Sequence, residues 1–305
     1  MSNKRDQSER EELRISQNFF KSRHLIARLL DRTSITKEDT VVEIGPGKGI
    51  ITEELARRCK TVVAVEKDER LYHELRIRFA NTPNVHLHLG DALEFSLPHS
   101  PYKVFANIPF NIAADLVRKL IEAPVPPDDA YLVMQRAAAE RFAGIPFGKE
   151  SQVSVLTKPF FELTFMHEFR RTDFTPVPRV NIVLLRIQKR LRPLISPGSR
   201  QIYRDFVVYA FNRWKPTVRE ALSELIRVDR FMQLAKELGF DPAARPSELR
   251  VEDWIGLFDR AVLRSGDRGK RIIAGSERRL RKQQAGLQKI HRTRTAPGWN
   301  KRDRR

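Results

Sequence analysis

Asn107-Ile108-Pro109-Phe110 places a planar amide, a rigid proline and an aromatic ring in four consecutive positions. Such a set suits gripping a flat nucleobase that carries an exocyclic amine and has left its stack. About sixty residues upstream, Glu43-Ile44-Gly45-Pro46-Gly47-Lys48-Gly49 forms a glycine-rich turn after an apolar run. Backbone N–H groups without side chains let an adenosyl ligand come close there. Together the two segments point to methyl transfer onto an adenine amino group. That nitrogen is a poor nucleophile because its lone pair is delocalised into the ring. If the Asn107 side-chain oxygen and the Ile108 carbonyl each accept one N6 hydrogen, the nitrogen becomes more tetrahedral and its lone pair is aimed. Phe110 would stack on the base. The scheme relies on positioning and on dipoles, and it calls for no metal and no strong base.

The glycine turn alone is a weak signal. Ile50 stands where a dinucleotide fingerprint needs its third glycine, and no Gly-Lys-Ser/Thr of a phosphate loop is present, so nicotinamide and ATP are disfavoured. Two acids strengthen the reading. Glu66 ends a second apolar run about twenty residues on, where a carboxylate accepts ribose hydroxyls, and Asp91 follows a third run in Leu89-Gly90-Asp91-Ala92. Taken singly, each acid reads equally well as a solvated strand end or a helix cap. Three successive strand ends carrying suitable groups favour a ligand.

These residues need a scaffold. Short apolar runs at Thr40–Ile44, Thr61–Val65, Val85–Leu89, Lys103–Ala106 and Tyr131–Met134 alternate with helical segments such as Ile50–Lys60 and Asp68–Phe79. The pattern predicts an α/β fold, a doubly wound parallel sheet covered on both faces. Phe161–Phe169 and Asn181–Ile187, separated by a turn-rich stretch, predict an antiparallel hairpin that brings the sheet to seven strands. Apolar spacing from Asn18 to Leu30 predicts a helix on the body. After Leu191-Arg192-Pro193 the spacing becomes helical at Ile202–Trp214, Val218–Val228, Phe231–Leu238 and Val251–Leu263, with Trp214 and Trp254 expected in the core of that region. The expected organisation is a polar segment 1–14, a catalytic domain 15–190, a small all-helical RNA-binding domain 191–264, and a disordered Arg/Lys-rich tail 265–305.

A net charge of +19 makes nucleic acid the first partner to consider. From Ala261 to Arg305 stand fifteen Lys or Arg against three acids, so this stretch carries most of the excess. Clusters such as Arg278-Arg279-Leu280-Arg281-Lys282 would bind phosphates without reading sequence. The single cysteine, Cys59, excludes an intramolecular disulfide and a cysteine-based zinc site. His86 and His88 alternate on one strand with no acid or thiol cluster beside them, so no metal site is expected. No apolar run is long enough for a bilayer and the opening residues are charged throughout, so a cytoplasmic location and no membrane partner are expected.

The chain resembles the rRNA adenine N6-methyltransferases, which include the Erm resistance enzymes and the KsgA/Dim1 dimethyltransferases. Four segments carry the resemblance: Ser16-Gln17-Asn18-Phe19-Phe20, Glu43 to Gly49, Asn107 to Phe110, and Phe174-Thr175-Pro176-Val177-Pro178-Arg179-Val180. It implies a class I fold that binds S-adenosyl-L-methionine. Gln17, Asn18 and Phe20 would close over the methionine part of the cofactor, and Gly45 and Gly47 would line its pocket. Glu66, followed by Lys67, would bind the ribose, and Asp91 with Ala92 would hold the adenine. Asn107, Ile108, Pro109 and Phe110 would grip the target base, with Phe174 offering it a second aromatic face. Ser16 replaces a more usual Gly, and Ala113-Ala114 a more usual Ser-Thr. Asn-Ile-Pro-Phe, Phe-Thr-Pro-Val-Pro-Arg-Val-Asn and the arginine-rich tail look more like the Erm branch. That branch implies a monomeric enzyme for one adenine of 23S rRNA, acting before full ribosome assembly and conferring macrolide, lincosamide and streptogramin B resistance. The alternatives are a KsgA/Dim1-like enzyme of the small-subunit rRNA and a non-catalytic rRNA-binding assembly factor.

Overall fold

Two strands form the spine of the molecule, β2 (Thr40–Ile44) and β5 (Lys103–Asn107), which pair in parallel with Ile44 opposite Ala106. Apart from the buried Glu43 and the strand-end residues Thr40, Lys103 and Asn107, their side chains are apolar on both faces because both faces are covered. In the computed structural model, which describes residues 19–264 and 267–285, the chain leaves β2 toward one edge through β3 (Thr61–Glu66) and β4 (Val85–Leu89). From β5 it proceeds toward the other edge through β6 (Asp129–Gln135). The strand order is β4-β3-β2-β5-β6-β9-β7, with β7 at Phe161–Phe169 and β9 at Ile182–Lys189. The order in which strands are added therefore reverses between β2 and β5, and the crevice beyond their carboxyl ends is where such sheets bind ligands.

β9 runs antiparallel to both β6 and β7, so the predicted hairpin is present, with an irregularity between Phe165 and His167. Its connection carries a short strand, β8 (Phe174–Thr175), which pairs with β1 (Phe19–Phe20). This corrects the N-terminal expectation. Phe19 and Phe20 are extended, and the helix α1 spans only Arg23–Leu30, started by Ser22, whose hydroxyl accepts from Leu25 N–H at 3.2 Å. The remaining helices of the sheet region are α2 (Ile50–Ala56), α3 (Glu69–Arg78), α4 (Ala113–Glu122), α5 (Arg136–Ala143) and α6 (Gln152–Thr157).

The C-terminal region contains α7 (Arg200–Phe211), α8 (Val218–Ala221), α9 (Val228–Leu238) and α10 (Val251–Phe258), the last followed by one π turn at Asp259–Leu263. Its apolar residues, among them Phe206, Trp254 and Phe258, join the same core as Val104, Leu132 and Val155 of the sheet side. The Tyr203 hydroxyl, donating to Val155 O at 3.0 Å, fixes α7 against α6. Trp254 is fully buried, as expected; Trp214 is almost wholly exposed, against expectation, because the chain turns outward after α7.

Within the segment expected to be disordered, residues 267–285 fold as two helices, α11 (Asp267–Ile273) and α12 (Ser276–Ala285). They have few apolar residues, but Ile273 is buried in the core, Ile272 and Leu280 pack against it, and ion pairs add to the docking. The Asp205 carboxylate accepts from Gly275 N–H at 3.1 Å and Glu277 N–H at 2.9 Å, capping α12 from a different helix. Glu277 in turn pairs with Arg204 at 2.6 Å and Arg281 at 2.9 Å, while Arg204 also reaches Glu122 at the end of α4 at 2.7 Å. The cluster Lys301 to Arg305 lies outside the described residues. No described helix is long and apolar enough to cross a membrane.

Candidate active site

The loop after β2 turns back over the carboxyl edge of the sheet through three left-handed glycines. Gly45, at φ +69°, donates its N–H to Val65 O at 3.0 Å and so ties β2 to β3. Gly47, at φ +56°, lies under Phe19: a Cβ there would come within 2.7 Å of the ring. Side chains are excluded from this turn both by backbone conformation and by space. Lys48 returns the contact, its ammonium 5.5 Å from the Phe19 ring centre.

Glu66 closes β3 and is buried. One oxygen accepts from Gly47 N–H at 3.0 Å and the other from Asp68 N–H at 2.8 Å, so the acid shapes the glycine turn from the next strand. Burial pushes its carboxyl above the ordinary range, against the pull of those N–H groups. Deeper still, Glu43 is wholly buried on β2, facing Thr52 of α2, whose side chain and backbone oppose the upward shift of the carboxyl. Burial pushes the Glu43 carboxyl up to about 8, and the nearby Glu66 charge adds to the push. Asp91, past the end of β4, behaves oppositely. Burial opposes its charge, yet the Leu93 N–H at 2.8 Å and the Lys67 ammonium at 3.0 Å hold it below the usual carboxylate range.

Asn107 ends β5 opposite Val133, and the Ile108 N–H continues the ladder to Val133 O at 3.0 Å. Pro109 then turns the chain, and the Pro109 carbonyl accepts from Ile112 N–H at 3.2 Å just before α4. The tetrapeptide and the glycine turn face one cavity of about 300 Å³. Its walls include Phe20, Gly45, Gly47, Glu66, Asn107, Ile108, Pro109 and Phe110, so most of the residues singled out from the sequence are brought together. Lys67, Asp91 and Ala92 lie at the neighbouring strand ends outside that wall, with Lys67 and Asp91 paired to each other. Gln17 and Asn18 fall outside the described residues.

Phe174 departs from its expected role. It is fully buried, with its ring centre 4.7 Å from Phe20 and 5.3 Å from Phe169, and it does not line the cavity. The β1–β8 pairing turns it beneath Phe20, so it supports the aromatic wall from behind.

The sequence reading missed Phe19, Arg23, Lys48, Glu53 and Arg78, all of which line the cavity. Glu53 is the hub of an ion cluster. Arg78 reaches it at 2.7 Å and Arg57 at 2.9 Å, Arg23 also pairs with it, and Arg78 donates to Lys48 O of the glycine turn. Burial opposes the Glu53 charge, but Arg78 and Arg23 hold its carboxyl low. Only the Glu53–Arg57 spacing was visible in the sequence; the other partners lie 25 and 30 residues away.

The switch-point cavity, the glycine turn and the acid at the end of β3 define a class I methyltransferase site. The ribosomal RNA adenine dimethylase family model matches residues 9–262. The rRNA adenine N-6-methyltransferase of Saccharopolyspora erythraea is 29% identical over 87% of this chain and 69% of its own length. The ribosomal RNA small subunit methyltransferase A of Geobacter metallireducens is 30% identical over 83% and 95%. Among solved structures, the 23S rRNA methyltransferase ErmE superimposes with a TM-score of 0.74 at 30% identity, covering 80% of this chain and 99% of that one. The chain belongs to the ribosomal RNA adenine dimethylase family. It is an rRNA adenine methyltransferase of the Erm/KsgA type that takes its methyl group from S-adenosylmethionine. The cavity fits that donor: side chains are excluded at Gly47, and the buried Glu66 carboxylate stands on the wall.

Proposed function

We propose that this enzyme methylates N6 of one adenine in the peptidyl-transferase region of 23S rRNA, and that its presence confers macrolide, lincosamide and streptogramin B resistance. The observation that carries the reading is the likeness to ErmE over 99% of that chain. The Asn-Ile-Pro-Phe tetrapeptide and the basic chain beyond residue 262, where the family match ends, support it. The small-subunit reading stands second, on the 30% identity to the Geobacter metallireducens enzyme over 95% of that protein.

Bound S-adenosylmethionine would supply an electrophilic methyl group, its S–CH3 bond breaking as the N–CH3 bond forms and S-adenosylhomocysteine leaving. Glu66 would hold its ribose, Asp91 and Ala92 at the neighbouring strand end its adenine, and Gly45 and Gly47 would leave room for its body. Phe110 stacks on the extruded target base, an interaction of roughly 1–3 kcal/mol that offsets much of the unstacking. The Asn107 side-chain oxygen and the Ile108 carbonyl accept the two N6 hydrogens and turn the nitrogen lone pair toward the methyl. Their dipoles stabilise the positive charge that develops on nitrogen, and the surplus proton leaves to water. Phe19 and Phe20, backed by Phe174, keep bulk water from the methyl-transfer path.

The test offers labelled S-adenosylmethionine together with protein-free 23S rRNA, 30S particles or duplex DNA, and maps the modified base by primer extension. Label at one adenine of free 23S rRNA, together with raised drug tolerance in a sensitive host, is the expected result. Label in 30S particles alone would assign the enzyme to small-subunit rRNA instead.

A further inference from the structure

Trp214 has 92% of its surface exposed. The largest apolar side chain is seldom left in water without a partner. Trp214 is also the one non-glycine residue among those described with a positive φ, at +53°. That left-handed conformation is unfavourable for a bulky L-residue and persists only where its surroundings impose it.

The surroundings do impose it. On the near side, Asn212 donates to the Gln152 side chain at 2.7 Å and to Val208 O at 2.8 Å. Arg213 pairs with Glu224, and its guanidinium lies 5.1 Å from the Tyr209 ring. On the far side, Pro216 limits Lys215, and Thr217 and Glu220 form a reciprocal capping box at the start of α8. The chain on both sides of Trp214 is thus anchored, and the indole projects outward from that turn. Lys215 and Arg219 are exposed beside it.

We infer that Trp214 is a stacking platform for an unpaired base of the substrate rRNA, with Lys215 and Arg219 contacting the flanking phosphates. An aromatic face next to cations is the arrangement that single-stranded RNA recognises, because every base has a stacking face and every linkage a charge. Fixing the backbone of the turn beforehand spares the cost of ordering that segment on binding. The inference rests on the enzyme's rRNA substrate and adds a contact remote from the methyl-transfer cavity, since Trp214 is not among its walls.

The test uses full-length protein and the rRNA fragment containing the adenine that the wild type modifies. Trp214→Ala is expected to raise KM for the fragment about 5- to 100-fold, with kcat and S-adenosylmethionine affinity within about twofold of wild type. Trp214→Phe should recover most of the loss. Trp214→Gly should melt at a higher temperature than wild type, because glycine accepts the positive φ, yet keep the raised KM. In a Trp299→Phe background, the fragment should quench the exposed Trp214 emission, leaving the buried Trp254. An unchanged KM in Trp214→Ala while the wild type methylates RNA would overturn this inference alone. Absence of both methylation and RNA-dependent quenching in the wild type would overturn the substrate reading as well. Quenching that depends on protein concentration without RNA would reassign the surface to self-association.

Discussion

The two ends of α4 use buried charge in opposite ways. At its start, beside Asn107-Ile108-Pro109-Phe110, the sheet edge keeps Glu43 wholly buried beside Thr52 and bends its backbone through left-handed glycines. At its finish, Glu122 joins Arg204, Arg281 and Glu277 in a network where each charge has an opposite, and the Asp205 carboxylate caps α12. Burial holds the Glu43 carboxyl up to about 8, whereas, despite its burial, the Arg204 pairing holds Glu277 down to about 2. The site end leaves room for a ligand through glycines that accept positive φ without strain. The docking end is saturated because its task is attachment.

This contrast predicts opposite responses to pH. An acid raised when folded takes up a proton on folding, so its stabilising effect is complete below the ordinary value near 4.5 and is lost as pH rises through 8. Melting temperature should therefore fall between about pH 5 and 8, by the equivalent of roughly 5 kcal/mol at most, and Glu43→Gln should flatten that slope. A slope unaltered in the variant would remove the claim about Glu43. Glu277 has the reverse sign: its contribution is present above about 4.5 and disappears as pH falls toward 2. Glu277→Gln should cost roughly 3 kcal/mol at neutral pH and flatten the acid limb, as followed by urea titration. Methyl transfer per folded molecule should be unaffected by that change.

Much of the site end was legible from residue order. Thr40–Ile44, Thr61–Val65 and Lys103–Ala106 read as strands because parallel strands covered on both faces are predominantly apolar. Gly45, Glu66 and Asn107 could then be placed at successive strand ends. Phe19 and Phe20 were misplaced because a two-residue strand has no period of its own, and its partner Phe174 is more than 150 positions away. The same pairing hid which way Phe174 points. At the docking end, α11 and α12 escape the sequence pattern because only Ile272, Ile273 and Leu280 are apolar anchors there, and apolar spacing does not register the ion pairs and the Asp205 cap that complete the docking. Trp214 was assigned to a core on residue type alone, and exposure depends on the path of the turn.

Smaller effects refine the contrast. Gly47→Ala brings a Cβ against Phe19 and strains a backbone at φ +56°. It should weaken S-adenosylmethionine binding about tenfold by calorimetry, on the order of 1–2 kcal/mol, while leaving rRNA binding intact. Equal loss of both would mean that the turn supports the whole fold. Removal of residues 286–305 takes away seven Lys or Arg and one acid beyond the docked helices. It should lower rRNA affinity and reduce the slope of log K against log salt, with the modified adenine unchanged. An unchanged slope would exclude those residues from phosphate contact.

The most direct measurement is single-turnover methylation of the rRNA fragment by wild type and Asn107→Ala, with S-adenosylmethionine saturating and binding of both ligands measured in parallel. The rate should fall about 100- to 1000-fold in Asn107→Ala, with both affinities within a few fold of wild type. A rate unchanged by the substitution would contradict the assignment of Asn107 to the target adenine.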